Sequence, residues 1–323
     1  MTENSNYLLQ IENLTKIFPV KGGFLGKVTG GVRAVDGVSL QVRRGEVFGL
    51  VGESGCGKTT LGRTILKLME PSGGKIIFDG DDITRLDGKS LRVYRHRMQI
   101  IFQDPFGSLN PRKTVGSIIG EPLRVAGEPS GEVTEKVREM IGMVGLAPDS
   151  PMRYPHEFSG GQRQRIGIAR ALILRPEFLV ADEPVSALDV SIQAQILNLL
   201  MDIKKRLSLT IFFISHDLRI VRSICDRVAV MYLGRVVETG GVDELYERPV
   251  HPYTEELIRA IPEPDPELSR KGEGLPGEVP SPMDPPPGCA FHTRCPLVRD
   301  ICMTEVPELT PRGDGHEAAC HVR

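Results

Sequence analysis

Tryptophan is absent from the 323 residues, and aromatic residues make up only 5% of them. A chain this poor in rings offers few platforms on which nucleic-acid bases could stack. Neither sign of charge dominates, since 40 Lys and Arg against 42 Asp and Glu leave a formal net charge of −2. Nucleic-acid-binding domains are usually strongly basic, so the balance gives no support for DNA or RNA as a partner. No apolar run approaches the ~18–20 residues that span a bilayer. The longest, such as residues 209–214, have the length of a core strand. The opening Met1-Thr2-Glu3-Asn4-Ser5-Asn6 lacks the basic-then-apolar pattern of a secretory signal. The expectation is a cytosolic chain that works at a membrane only where another protein holds it there. There is no internal repeat.

What is present reads as an α/β protein. The length suggests one large domain with an extension. Residues 8–14 and 38–42 alternate in part, as half-buried strands do. Val47-Phe48-Gly49-Leu50-Val51 is apolar throughout and stops at Gly52, the pattern of a fully buried strand. Residues 59–69 are helical in composition, and 75–78 form another short strand. Strand signals thin out from about Ser90 to Glu157, where helices are expected over 115–147. Alternation returns with a helix at 161–174, a buried strand at 178–181, a helix at 192–207 and a strand at 209–214. Leu233-Gly234, between two apolar runs, predicts a hairpin. Strands alternating with helices predict a mostly parallel sheet.

Gly52-Glu53-Ser54-Gly55-Cys56-Gly57-Lys58-Thr59, followed by Thr60, fits the phosphate-loop pattern. Glycines let the backbone turn so that N–H groups point at a phosphate, and the following helix adds the positive end of its dipole. Lys58 supplies charge to the β/γ oxygens, and the Thr59 hydroxyl is a ligand for Mg²⁺. Asp182-Glu183 closes an apolar strand, where open α/β sheets hold their ligands. Asp182 is expected to hold Mg²⁺ through water, and Glu183 to act as general base on the attacking water. Ser159-Gly160-Gly161-Gln162 opens an amphipathic helix and makes a second anion site. Cys56 reads as a small side chain tolerated inside the loop, and Cys225 as a core residue.

These runs, in this order, resemble the ATP-binding cassette (ABC) ATPases over roughly residues 7 to 260. The resemblance implies a P-loop NTPase cassette with three parts: a RecA-like mostly parallel sheet, an N-terminal antiparallel β subdomain, and a helical signature subdomain at about 90–165. It implies that Phe18 stacks under adenine and that Gln103 touches Mg²⁺ and the attacking water. His216 contacts the γ-phosphate, and the loop ending at Asp189 crosses a dimer seam. Phe158-Ser159-Gly160-Gly161-Gln162 matches the family's signature, with Phe158 where Leu is commoner. In the family this signature caps the ATP of a second cassette packed head to tail, so ATP is bound in trans by Ser159, Gly160, Gly161, Gln162 and Asp189. The absence of an Asn-Lys-x-Asp motif argues against a P-loop GTPase.

Composition shifts near Ile261, giving a nucleotide-binding domain over 1–261 and an extension over 262–323, joined by the proline-rich Pro262-Glu263-Pro264-Asp265-Pro266. The extension reads as a separate, loop-rich appendage. It carries Cys289, Cys295, Cys302 and Cys320, spaced unlike a zinc site's C-x2–4-C pairs. Four thiolates could hold a [4Fe–4S] cluster. Zinc or free thiols are the alternatives, and His292, His316 and His321 are substitute ligands. The tail around Pro286-Pro287-Gly288-Cys289-Ala290-Phe291-His292, with His251-Pro252-Tyr253-Thr254 before it, resembles dipeptide/oligopeptide and nickel permease ATPases, some of which bind such a cluster. The resemblance implies a peripheral ATPase on the cytoplasmic side of a prokaryotic inner membrane. Its partners would be a second cassette, two membrane permease subunits and, indirectly, an extracytoplasmic binding protein. A nickel importer and a non-transport ABC ATPase are the alternatives.

Overall fold

The computed structural model describes residues 6–22, 27–104, 107–261, 277–313 and 315–323. The chain begins with β1 (Tyr7–Gly22), β2 (Lys27–Arg43), β3 (Val47–Val51), α1 (Lys58–Ile65), β4 (Gly73–Phe78) and β5 (Asp81–Asp82). Next come α2 (Gly88–Arg97), β6 (Met98–Ile101), α3 (Val115–Ala126), α4 (Ser130–Met143), α5 (Gly160–Leu172), β7 (Phe178–Asp182), α6 (Val190–Leu207) and β8 (Thr210–Ile214). It ends with α7 (Leu218–Ile224), β9 (Arg227–Tyr232), β10 (Arg235–Gly241), α8 (Val242–Glu247), α9 (Pro252–Arg259), α10 (Asp300–Thr304), β11 (Thr310–Gly313) and β12 (His316–Ala318). The elements fall into two compact units. One holds the described residues of Met1–Arg43, Val47–Arg85 and Ile214–Arg323, the other those of Arg44–Glu46 and Leu86–Phe213.

The first unit contains the antiparallel sheet β2-β1-β4-β5. Along β2 the alternation is clean, with Val38, Leu40 and Val42 buried and Ser39, Gln41 and Arg43 exposed, so one face meets the core and the other meets water. Its second sheet runs β11-β12-β10-β9-β3. Strand β3 is buried at every residue and pairs parallel with β9. The predicted hairpin is β9–β10, antiparallel around Leu233-Gly234. Beyond it, β12 pairs antiparallel with β10, and Ala319 N–H donates to Val237 O at 2.8 Å. The residues after 276 therefore add strands to this sheet. The proline-rich run Pro262–Pro266 lies outside the described residues. Helix α1 stops at Ile65, short of the predicted Met69. Buried Lys67 turns to φ 53° and donates its ammonium to Thr84 O at 2.6 Å, so the chain cannot continue in helical register.

The second unit carries β8-β7-β6, with β6 parallel to β7. Strand β6 lies inside the stretch that reads as strand-poor. It has four residues, two of them only half-buried, and so shows no periodicity. Its place is fixed by β7, together with the Glu177 N–H bond to Arg97 O at 2.9 Å. The predicted helices are present as α3, α4, α5 and α6. Inward residues Ile196, Leu200 and Ile203 of α6 follow helical spacing and are fully buried.

Candidate active site

In the first unit, β3 delivers the chain to Gly52 and α1 leaves it at Lys58. Two glycines are obligatory. A Cβ on Gly52 (φ 151°) would stand 2.1 Å from Met231 O, and one on Gly57 (φ 108°) 2.0 Å from Ala34 O. Both conformations also lie where side chains are strained. Gly57 is the N-cap of α1 and gives it no side-chain cap, and a helix start of this kind suits an anion. Lys58 is 5% exposed, and its ammonium donates to Gly52 O at 2.7 Å and Glu53 O at 2.9 Å. The cation is thereby drawn into the loop. Cys56 is buried beside it, and burial pushes the thiol up from its ordinary value. This is what a tolerated packing residue does, not a reactive thiolate. Cys225 is likewise buried and raised, as expected for a core residue. Phe18, on β1, keeps an exposed ring with the Lys16 ammonium 5.2 Å from its centroid. His216, just after β8, is exposed.

In the second unit, β7 is buried throughout and ends on Asp182, which is 1% exposed. Glu183 follows at φ 46°, a conformation costing a non-glycine residue about 1–3 kcal/mol, and such strain gathers at functional sites. Gln103 donates its amide to the Glu183 carboxylate at 2.8 Å. The structure thus joins two of the sequence-predicted residues. A carboxylate next to a neutral amide can orient a water and take its proton. Ser186 hydroxyl and Gln193 amide hold the loop after it, through Glu183 O at 3.1 Å and Leu188 O at 2.9 Å. That loop ends at Asp189, the N-cap of α6.

Helix α5 begins with a reciprocal cap. Ser159 N–H donates to the Gln162 side chain at 3.0 Å, and Gln162 N–H donates back to the Ser159 hydroxyl at 3.4 Å. Phe158 is buried under the Arg153 guanidinium, 4.5 Å from its ring, and so serves as the apolar anchor in place of Leu. Ser159 and Gln162 are exposed, with Gly160 and Gly161 half-buried between them. A Cβ on Gly161 would meet Ile192 at 2.6 Å and one on Gly160 would meet Leu188 at 3.4 Å. The signature turn therefore packs on the loop that carries Asp189.

The four tail cysteines influence one another. Burial pushes the Cys289 thiol up to about 11, and the charges of Cys302, Cys295 and Cys320 add to the rise. Cys295 is raised by burial too, with Cys320 and Cys302 adding to it. Three of the sulfurs accept a backbone N–H from two residues on: Cys289 from Phe291, Cys295 from Leu297 at 3.4 Å and Cys320 from Val322 at 3.4 Å. That donor set suits a thiolate-bound metal group. Among the described residues, however, no three Cys, His, Asp or Glu side chains converge to ligate one ion. The substitute histidines have other partners. His316 meets Glu238 at 2.7 Å, while His292 and His321 meet the carbonyls of Cys289 and Glu305, each at 2.9 Å.

Sequence reasoning gave Tyr253 and Arg294 no role, yet both reach the phosphate loop. Glu53 N–H donates to the Tyr253 hydroxyl at 2.9 Å, and Arg294 grips the Glu53 carboxylate with both terminal nitrogens. Their only signal was indirect: Tyr253 sits in His251-Pro252-Tyr253-Thr254, and Arg294 between two cysteines.

Comparison with known proteins fits this geometry. Residues 35–186 match the family described as "ABC transporter", and residues 237–302 match "Oligopeptide/dipeptide transporter, C-terminal region". The oligopeptide transport ATP-binding protein AppF of Bacillus subtilis is 51% identical over 99% of this chain and 98% of its own. Among solved structures, cbiO1 of Clostridium perfringens, part of the ABC transporter complex cbiONQ, is 30% identical with a TM-score of 0.65, covering 75% of this chain and 92% of its own. The dimeric cassette MJ0796 in a post-hydrolysis state bound to ADP and Pi is 27% identical with a TM-score of 0.64, covering 72% and 98%. Among the described residues no helix is long and apolar enough to cross a membrane. Half-identity sustained over nearly the whole of two chains reflects common descent, and this protein belongs to the ABC transporter ATP-binding subunits of the oligopeptide/dipeptide transporter family.

Proposed function

We propose that this ATPase powers the uptake of di- and oligopeptides. It works as a peripheral subunit on the cytoplasmic face of a cell membrane, with a second cassette and two membrane-spanning permease subunits. An extracytoplasmic binding protein selects the solute. The phosphate loop from Gly52 to Thr60 holds the triphosphate, with Phe18 against the adenine and His216 at the γ-phosphate. Thr59, Asp182 and Gln103 supply hard oxygen donors of the kind Mg²⁺ prefers. Glu183, oriented by Gln103, takes a proton from the attacking water. The signature of a second cassette, through Ser159, Gly160, Gly161 and Gln162 with Asp189 alongside, closes over the same nucleotide. ATP then acts as the glue, and hydrolysis releases it.

One observation carries the reading: a cassette whose Glu183 is paired with Gln103 at 2.8 Å continues into the region shared with oligopeptide transporters. Cys289, Cys295, Cys302 and Cys320 would hold a [4Fe–4S] group, which supplies a cross-link to a short loop-rich segment. Their N–H···S bonds support this. The transporter reconstituted with its binding protein tests the main reading. Its ATPase rate is expected to rise with di- and oligopeptides and not with nickel. A rate that follows nickel, or no solute at all, would contradict it. Protein prepared without oxygen should show visible cluster absorbance that Cys289→Ser removes, and a colourless preparation would reject the cluster.

A further inference from the structure

Arg294 ends a short 3-10 turn, His292–Arg294, bracketed in sequence by Cys289 and Cys295. Its side chain is 4% exposed and lies within 6.0 Å of the ring centroids of Tyr232 and Phe291. Those rings and Tyr253 form a closed aromatic wall: Tyr232–Tyr253 at 4.7 Å, Tyr232–Phe291 at 5.4 Å and Tyr253–Phe291 at 5.4 Å. A guanidinium taken out of water this completely is costly unless its charge is met. It is met by Glu53, with Arg294 nitrogens at 2.8 and 3.1 Å from the two carboxylate oxygens and a further contact to the Tyr232 hydroxyl at 3.5 Å. The two-pronged geometry fixes direction as well as distance.

Glu53 is the second residue of the phosphate loop, and it is held at three points. Its side chain is held by Arg294, and its N–H by the Tyr253 hydroxyl at 2.9 Å. Its carbonyl oxygen receives the Lys58 ammonium at 2.9 Å and the Cys56 N–H at 3.3 Å. The loop that presents N–H groups and a lysine to a polyanion thus also contains a carboxylate. An uncompensated negative charge there would repel the phosphates. The same carboxylate, swinging free, would loosen the carbonyl on which Lys58 rests.

We propose that Arg294 is a positioning residue for nucleotide binding: by neutralising and fixing Glu53, the C-terminal extension sets the affinity of the phosphate loop for ATP. This rests on the reading that the loop from Gly52 to Thr60 holds the triphosphate. Arg294 touches no nucleotide in this account and acts only through Glu53. Whatever orders the segment between Cys289 and Cys295 therefore orders the loop, and by linkage bound ATP steadies the extension.

Arg294→Met keeps an apolar stem against Phe291 and Tyr232 and removes the charge. In the full-length chain it is expected to raise both the dissociation constant and the KM for MgATP about 10-fold, the order for one uncompensated charge several ångströms from a polyanion in a half-buried site. The kcat at saturating ATP should stay within about 2-fold, since the interaction acts on binding and not on the chemical step. Arg294→Lys should recover part of the affinity, and Glu53→Gln/Arg294→Met most of it, because the orphaned carboxylate is gone. The double variant also remains readable if Arg294→Met alone fails to fold. An unchanged KM in Arg294→Met, or a double variant as weak as the single, would overturn the proposal. Lys58→Ala separates the two readings. If it loses MgATP binding while Arg294→Met does not, only the Arg294 proposal falls. If it keeps MgATP binding, the loop reading falls and takes the proposal with it.

Discussion

Two helix starts in this protein, those of α1 and α5, are secured in opposite ways. The start of α5 is held by its own neighbourhood: Ser159 and Gln162 cap each other, Arg163 reaches back to Pro155 O at 2.8 Å, and Phe158 is anchored under Arg153. The start of α1 has no side-chain cap and is held from far along the chain. Met231 and Ala34 carbonyls leave no room for a Cβ, Gly234 N–H donates to Cys56 O at 2.9 Å, and Tyr253 and Arg294 fix Glu53. Under the proposed function the first start grips a triphosphate inside the fold, which needs tertiary support. The second would present the exposed Ser159 to another molecule, which needs only that it keep its own shape.

The sharpest break of this contrast is glycine to alanine at each start. Gly57→Ala forces a methyl against the Ala34 carbonyl at 2.0 Å. It should destabilise the fold by about 3 kcal/mol or more and abolish MgATP binding, since main chain must move. Gly160→Ala places its methyl 3.4 Å from Leu188, an ordinary contact, and should change stability by under about 1 kcal/mol. Thermal unfolding and nucleotide titration of the pair would show it, and equal losses would erase the distinction.

Acid should reach the first start before the second. His251 is 1% exposed and accepts the Tyr253 N–H on Nδ1 at 3.1 Å, which requires a neutral ring. Burial, aided by Arg323, pulls its pKa down from 6.5 to about 3. Between those values the unfolded chain binds the extra proton. Stability is therefore whole above pH 6.5 and falls as pH drops, by at most about 1.4 kcal/mol per pH unit for one proton. The melting temperature read from pH 7 to pH 5, before carboxylates titrate, should slope downward in the native chain and flatten in His251→Asn. An identical slope in the variant would exclude His251 as its source. A similarly small effect is expected at Ser159→Ala, about 1 kcal/mol for a lost cap, seen as a slight drop in melting temperature with MgATP affinity of the isolated chain unchanged.

The same contrast explains what could be read from the sequence. The helix start at Ser159-Gly160-Gly161, the buried run before Gly52 and the Leu233-Gly234 hairpin depend on residues a few positions apart, and each was visible as a pattern. Glu183 was legible from its place at the end of a buried strand and Gln103 only through resemblance, while their pairing was not legible at all, because the 2.8 Å bond between them joins residues 80 positions apart. Strand β6 was hidden by its brevity, and β12, three residues long, by having too little sequence to show a period. The bond from Arg294 to Glu53 spans 241 positions. No local rule links an arginine between two cysteines to the second residue of a phosphate loop.

The central claim is that one nucleotide is gripped by Lys58 of one cassette and Ser159 of the next. It is tested most directly by the particle mass of the Glu183→Gln protein, alone and with the cassette that co-purifies with it, measured by light scattering with and without MgATP. The variant should bind ATP, hydrolyse it about a thousandfold more slowly, and pass from the 35.5 kDa chain to a two-cassette particle only when MgATP is present. Adding Ser159→Arg should abolish that particle. A mass that ignores nucleotide, or a particle that forms equally well with Ser159→Arg, would contradict the shared grip.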